Sequence, residues 1–458
     1  MLYFEFNRRD GKGKYNQMTE KAFQEAVSQD GRYFIMYTEK NNEGYVLECT
    51  EQELKNFRYD KNHIEYDEIQ AEGIQQAVSS KVMVLTGDPG TSKTTTTLGI
   101  IEALKSLGNR ILLATPTGRA AKRMTEATGM EAKTIHRLLE FSPTESYKRN
   151  QKNPLEGDVL IVDESSMIDI TLMYSLLKAV PVHMRLILVD DIDQLPSVGA
   201  GNVLRDIIDS GRFPVVRLTK IFRQAQSSQI IMNAHRINAR MFPNLRNEHG
   251  TDFFFMERET PEEAANLIVE LVKTRLPNYQ NVHPTEIQVL TPMQKGIIGA
   301  ANLNSLLQQS LNPNSLCLNR GGRTYRLHDK VMQIRNNYDK NVFNGDIGTI
   351  TDINTDDKEL TVCFDNRYVQ YDILELDELV HAYAITIHKS QGSEYPIVVM
   401  PVMMTHFIML QRNLIYTGIT RAKKMIVLIG TKKAIAYAVK HVTVTRRNTR
   451  LKERLLEI

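Results

Sequence analysis

The sequence predicts an α/β protein of two lobes, each a mostly parallel sheet with helices on both faces. Three observations carry this. Short apolar runs alternate with helical patterns from Lys81 onward. One run passes through a glycine-bearing loop straight into a helix. A second set of apolar runs repeats the scheme in the C-terminal half.

Residues 1–62 mix helical and strand patterns without a usable motif. The first lobe is expected over 63–232. There KVMVLTG reads as a buried strand and TTTLGIIEALKSLG as an amphipathic helix closed by Gly108. RILLATPT is the next strand, followed by a helix through RAAKRMTEATG, then the strands VLIVDESS and RLILVDD. The second lobe, 233–318 with 375–440, has EIQVLTPM, HAYAITIHKSQG, YPIVVMPV and MIVLIGT. Two segments break the rhythm. Residues 141–157 are polar, and Pro143 and Pro154 disfavour a helix, so a loop or small β-hairpin is expected there. Residues 319–374 alternate like strands, with turn signals at Asn344 to Asp346 and Asn354 to Lys358, which suggests a small inserted β-barrel. A basic tail, 441–458, follows.

Composition sets outer bounds. The chain has 458 residues, 42% hydrophobic and 24% charged, with a net charge of +3, the profile of a soluble globular protein of several domains. Cys49, Cys317 and Cys363 form no C-x-x-C pair, so neither a zinc knuckle nor a disulfide framework is signalled. A reducing, cytoplasmic setting is expected, with no membrane partner: the apolar run Ile397 to Met404 is too short to span a bilayer. Charge is uneven. Residues 431–458 hold eight Lys/Arg against two acids, and Arg320 to Lys340 six against two. Such stretches attract phosphate backbones, or are simply solvated faces.

The stretch TGDPGTSKTTTT, Thr86 to Thr97, is where chemistry enters. A phosphate-binding loop presents backbone N–H groups at a helix N-terminus, where the dipole favours anions. Lys93 would reach the β- and γ-phosphates, and the Thr94 hydroxyl would hold Mg²⁺. The alternative is an ordinary strand–helix turn. Against it stands a second element. LIVDE puts Asp163 and Glu164 at the C-terminal end of a strand, the edge where such sheets bind ligands. One carboxylate can hold the metal and the other accept a proton from water.

The motifs that follow resemble, in order, those of a superfamily 1 helicase of the 5′-to-3′ branch, RecD-like, the family of the exonuclease V alpha subunit. They are TPTGRAAKRM, KTIHRLL, DESSM, DIDQLPSVGAG, LTKIFRQ, AYAITIHKSQGSEYP and RNLIYTGITRAKK, across roughly 65–430. The resemblance implies two RecA-like P-loop lobes, the 141–157 hairpin as a strand-separating wedge, and the inserted barrel as an SH3-like domain. It implies an ATP-dependent DNA helicase (an ATP hydrolase) in repair or recombination, with ATP and Mg²⁺ as cofactors. Single-stranded DNA and duplex with a 5′ tail are its implied partners. It implies catalytic roles for Lys93, Asp163, Glu164, Gln194, Arg223 and Arg421, with Gln194 sensing the γ-phosphate and the arginines acting as fingers. Nucleotide contacts would come from Gln70, Gly87, Asp88, Pro89, Gly90, Thr91, Ser92, Lys93, Thr94, Thr95 and Glu394, and the metal from Thr94 and Asp163. DNA contacts would fall to Thr117, Arg119, His136, Thr386, His388 and Lys389.

The sequence departs from that family at two glycine positions. Ser92 stands where the loop's second glycine is expected, and a Cβ there crowds the phosphates. Asp190 stands where relatives generally have glycine, and a carboxylate there would repel a γ-phosphate. Ser165 replaces a common cysteine, the N-terminal region is short, and no nuclease motif is visible. Reduced turnover is therefore expected. The competing reading is a nucleic-acid-binding protein with a degenerate, weakly hydrolysing or non-hydrolysing nucleotide site.

Overall fold

A computed structural model of the chain describes residues 33–38, 44–49, 66–142, 146–222, 226–337, 339–441 and 447–457. Strands β1 (Tyr33–Thr38) and β2 (Gly44–Cys49) pair as an antiparallel hairpin. The first lobe holds β3 (Val82–Gly87), β4 (Ile111–Thr115), β5 (Ala132–Thr134), β8 (Val159–Val162), β9 (Arg185–Asp190) and β10 (Val215–Leu218). They form one sheet in the order β10-β3-β9-β8-β4-β5, every pair parallel. Strand β8 is covered on both faces, which is why VLIV reads as an unbroken apolar run. Between β5 and β8 the short strands β6 (Phe141–Ser142) and β7 (Ser146–Tyr147) make the expected small hairpin. Its turn, 143–145, lies outside the described residues.

The second lobe is a parallel sheet in the order β11-β22-β21-β12-β20, with β11 (Phe253–Glu257), β12 (Ile287–Thr291), β20 (Ala384–Thr386), β21 (Tyr395–Val402) and β22 (Ala422–Gly430). An apolar cluster fills each face of both sheets. The edge strands β10 and β11 are additions to the sequence reading. Inserted before β20 are the hairpin β13 (Cys317–Arg320) and β14 (Arg323–Arg326) and an antiparallel sheet in the order β18-β17-β16-β15-β19. Its strands are β15 (Lys330–Gln333), β16 (Ile347–Asn354), β17 (Glu359–Phe364), β18 (Arg367–Asp372) and β19 (Leu379–His381). Tyr325, Phe364 and Tyr371 are fully buried in a core of its own.

Seven helices matter below: α1 (Glu68–Ser79), α2 (Lys93–Ser106), α3 (Gly118–Thr128), α4 (Val203–Ser210), α5 (Gln229–Asn238), α6 (Arg412–Thr420) and α7 (Leu451–Glu457). Helix α5 buries Ile230, Ala234 and Ile237 in the second lobe's core, so that lobe starts before residue 233. The C-terminal segment is more than a solvated basic tail. Helix α7 packs against α4 of the first lobe. Just before it, Arg447 donates to Ser197 Oγ (3.0 Å) and to the carbonyls of Gly199 (2.6 Å) and Gly201 (2.6 Å). The chain thus returns from the second lobe to brace the loop after Gln194. Among the described residues, no helix is long and apolar enough to cross a membrane.

Candidate functional site

The carboxyl edge of the first sheet collects the predicted residues strand by strand. The loop Asp88 to Ser92 follows β3, Asp191 and Gln194 follow β9, and Asp163 and Glu164 follow β8. Thr117 and Arg119 follow β4, and His136 follows β5. The nucleotide-type residues sit on the central strands and the DNA-type residues at the β4–β5 end. In a parallel sheet this edge is where ligands bind.

In the loop, Gly87 admits no side chain: a Cβ would come 2.6 Å from Thr91 Oγ1 and 2.9 Å from the Leu218 carbonyl. Thr91 Oγ1 donates to the Asp88 carbonyl (2.7 Å), and Gly90 takes φ +78°. Lys93 folds its ammonium back onto the Gly87 carbonyl, with the Asp88 carbonyl 3.5 Å away. Thr94 is exposed and Thr95 half-buried on the first turn of α2. Ser92 caps that helix at φ 60°, ψ 40°, the left-handed region, with no side-chain cap bond. The missing glycine is therefore felt first as backbone strain, on the order of 1–2 kcal/mol for a residue with a Cβ.

Asp190 does not behave as a free charge. Its side chain is 3% exposed and accepts the backbone N–H of Ser166 and of Asp191. Burial first, then Glu164, push its carboxyl well above the usual carboxylate range. It pins the β9 end to the turn after Glu164, and its shift toward the neutral form weakens the expected repulsion. Burial and then Glu164 push the Asp163 carboxyl up to about 6, against the pull of Arg123 and Lys93. Glu164 is 5% exposed, in the left-handed region at φ 54°, and bonded to Arg123 Nη2 at 3.0 Å.

The second lobe closes over this edge. Arg421, 3% exposed, donates to Gln194 Oε1 (2.7 Å) and to the Ser393 carbonyl (3.3 Å). Gln194 in turn lies 3.4 Å from Asp191 Oδ2, which accepts the Tyr416 hydroxyl at 2.7 Å. Leu195 donates its N–H to Thr417 Oγ1 (3.0 Å) and accepts from Gln391 Nε2 (2.9 Å). His235 of α5 meets Asp88 Oδ2 at 3.0 Å and the Pro89 carbonyl at 3.1 Å, and Asn238 donates to Asp193 at 2.9 Å. His235 and Asn238 lie outside the quoted motifs, and Tyr416 lies inside RNLIYTGITRAKK without a role assigned to it. Asp88, Asp191 and Asp193 approach within 4.8 Å of one another, but these three donors already engage them.

The remaining predicted residues divide. Arg223 lies outside the described residues. Gln70 is 2% exposed, and its Oε1 accepts the Asp67 N–H (3.0 Å) while Asp67 Oδ1 accepts the Gln70 N–H (2.9 Å). That reciprocal cap of α1 takes one of the two acceptor positions of the Gln70 oxygen and fixes the orientation of its amide. Glu394 pairs with Arg123 (2.9 Å) and Lys423 (3.1 Å). Burial alone would raise its carboxyl, but Arg123 and Lys423 hold it below the usual range. Thr117 Oγ1 caps α3 by accepting from Ala120 N at 3.3 Å. Arg119 reaches across to Ser393 Oγ (2.9 Å) and the Tyr395 hydroxyl (3.2 Å). His136 stacks edge-on against Phe141 (5.6 Å) and near Tyr147 (5.9 Å), tying the hairpin base to the sheet. Burial lowers the pKa of His136 and of His388. Thr386 ends β20, and His388 and exposed Lys389 follow it.

Three family models match in chain order: the AAA domain at residues 70–200, the SH3 domain of ATP-dependent RecD-like DNA helicases at 303–364, and the UvrD-like helicase C-terminal domain at 381–429. The ATP-dependent RecD2 DNA helicase of Deinococcus radiodurans is 37% identical over 388 residues, covering 85% of this chain. This chain belongs to the RecD-like helicase family. The RecBCD enzyme subunit RecD of Mycolicibacterium smegmatis is 31% identical over 413 residues, covering 83% of this chain and 73% of that protein. This RecD-like chain spans 52% of the length of the D. radiodurans relative. A solved structure of two Pif1 helicases at forked duplex DNA shares the fold, with a TM-score of 0.51 at 19% identity, over 81% of this chain and 94% of that one.

Two predictions come from this geometry. Asp190→Gly leaves the Ser166 and Asp191 N–H groups without their acceptor, at about 1–3 kcal/mol, so its melting temperature falls. Ser92→Gly relieves the left-handed strain but adds chain entropy, for a net gain of up to about 1 kcal/mol. Calorimetry on both variants checks the opposite signs.

The second concerns pH. His235 is raised from its ordinary 6.5, chiefly by its bond to Asp88. Asp88 is held below 3.8, because His235 and Lys93 outweigh the effect of burial. The His235 contribution is complete below 6.5 and lost as pH rises through its raised value; the Asp88 contribution is complete above 3.8 and lost as pH falls through its lowered value. The pair is therefore strongest between these values. The melting-temperature gap between native chain and His235→Ala should be widest there and shrink on the alkaline side. A pH-independent gap would exclude the ion pair.

Proposed function

We propose that this chain is an ATP-dependent 5′-to-3′ DNA helicase that translocates on single-stranded DNA and acts in DNA repair or recombination. The observation that carries the reading is the Arg421–Gln194–Asp191 chain of contacts, which joins the second lobe to the β9 end beside the phosphate-binding loop. The β- and γ-phosphates of ATP take the Lys93 ammonium in place of its loop carbonyls and lie against the N–H groups at the start of α2. Thr94 and Asp163 fit Mg²⁺, since both offer hard oxygen donors. The Asp163 carboxyl, pushed up by burial and Glu164, gains from a nearby cation. When bound, the ion would screen phosphate charge. Glu164 accepts a proton from the attacking water as its oxygen bonds to the γ-phosphorus and the bond to ADP breaks. Gln194 reports the γ-phosphate to Arg421, and Arg223 supplies further positive charge.

Thr117, Arg119 and His136 in the first lobe, with Thr386, His388 and Lys389 in the second, form the DNA track. A 5′ single-stranded tail is the loading site. The β6–β7 hairpin is the wedge, and the inserted barrel closes over the strand, consistent with Phe343 packed against Gly118 at the start of α3. The buried, bonded state of Asp190 favours hydrolysis over the degenerate-site alternative.

Steady-state ATPase and unwinding assays test this together. Native chain should hydrolyse ATP faster with single-stranded DNA and unwind only substrates with a 5′ tail. Lys93→Ala should lose about 100-fold or more of the stimulated rate. Hydrolysis retained in that variant, or a requirement for a 3′ tail, would overturn the corresponding half of the proposal.

A further inference from the structure

Helix α3 carries two arginines four residues apart, Arg119 and Arg123, which therefore share a face. Between them they grip consecutive residues of the second lobe. Arg119 holds Ser393 and Tyr395, and Arg123 Nη1 pairs with Glu394 at 2.9 Å. Gly392, at φ +71°, sits so close to the helix cap that a Cβ would come 2.8 Å from Thr117 Oγ1. The other arm of Arg123, Nη2, bonds Glu164 Oε1 at 3.0 Å. One guanidinium thus joins the proposed base to the opposite lobe, and Lys423 extends the chain of charges through Glu394 at 3.1 Å. The barrel leans on the same helix, with Phe343 against Gly118 and Asp365 paired to Lys122 at 2.6 Å.

A general base must be within hydrogen-bond reach of the water it deprotonates. Glu164 is 5% exposed, and its Oε1 is committed to a charge-assisted bond. The bond depends on how α3 lies between the lobes, because Arg123 is held at its other end by Glu394. Helix α3 is also where the proposed DNA track begins. Simple neutralisation of a buried carboxylate would need only one partner on the same lobe; here the partner is shared across the cleft.

We propose that Arg123 is a positioning residue that restrains Glu164 through this cross-cleft ion pair, holding ATP turnover down until nucleic acid engages the start of α3. The proposal rests on the helicase reading above. Displacement of Arg119 by a DNA strand shifts α3, loosens the Arg123–Glu164 contact and frees the carboxylate to meet water.

The test compares native chain, Arg123→Ala and Arg123→Lys, each checked by its melting temperature, for ATP turnover without nucleic acid and with saturating oligo(dT). Arg123→Ala should raise the DNA-free rate about three- to tenfold while changing the saturated rate by no more than about twofold, so that stimulation shrinks. Arg123→Lys, which keeps the charge, should lie nearer the native chain. Parallel loss of both rates would overturn the proposal and leave Arg123 as a prop for Glu164. A second measurement does not depend on hydrolysis. Dyes on Lys178→Cys and Lys433→Cys, with Cys49, Cys317 and Cys363 changed to Ser, report the distance between lobes. Arg123→Ala should widen it without DNA; an unchanged distance would also overturn the proposal. If native chain hydrolyses no ATP, the helicase reading fails, while the distance measurement still decides whether Arg123 couples the lobes.

Discussion

Carboxylates crowd the end of one sheet, and that crowding governs the structure around them. Asp88, Asp163, Glu164, Asp190 and Asp191 all lie at or just beyond the ends of β3, β8 and β9, and most are buried. Like charges at close range in a partly dry cleft repel one another strongly, and burial adds its own cost. Three remedies are visible. Asp190 and Asp163 are driven toward their neutral forms. Asp190 and Asp191 take N–H or hydroxyl donors. Glu164 and Asp88 take cations, Arg123 from the same lobe and His235 from the other. The second lobe is therefore part of the electrostatic balance of the first. A bound polyphosphate with its cation would have to displace parts of this balance.

Much of this was legible in the sequence, and the division has a physical basis. The loop from Gly87 to Thr94, the pair Asp163–Glu164 and the central strands are set by local spacing: a buried parallel strand must be apolar throughout, and its ligand residues must follow it directly. The edge strands β10 and β11 escaped because runs of four and five residues with one face half covered give little pattern. His235, Asn238, Tyr416 and Arg123 escaped for another reason. Arg123 and Tyr416 stand inside motifs read from the sequence, but each of the four acts through a contact across a long stretch of chain, and its motif or neighbours do not announce the partner. Gln70 shows the reverse. Asp67 three residues before Gln70 is a capping-box spacing, a local signal that assigns the glutamine's oxygen before any ligand is considered.

The two departures from family glycine also look different in three dimensions. From the sequence alone, both Ser92 and Asp190 argue against nucleotide binding, one by bulk and one by charge. Ser92 is held in the left-handed region, and Glu164, also with a Cβ, is held there too at φ 54°. Each costs on the order of 1–2 kcal/mol and persists because the surrounding strand ends and helix start fix it. The strained residues flank the proposed phosphate and water positions, where a rigid backbone is worth more than a relaxed one, since preorganised N–H groups and carboxylates need not rearrange during the reaction. Asp190 serves the same rigidity by tying β9 to the turn that carries Glu164. What the sequence presents as two losses is, in the folded chain, a strained loop facing an anchored one, and the geometry between them is set by the sheet rather than by the missing glycines.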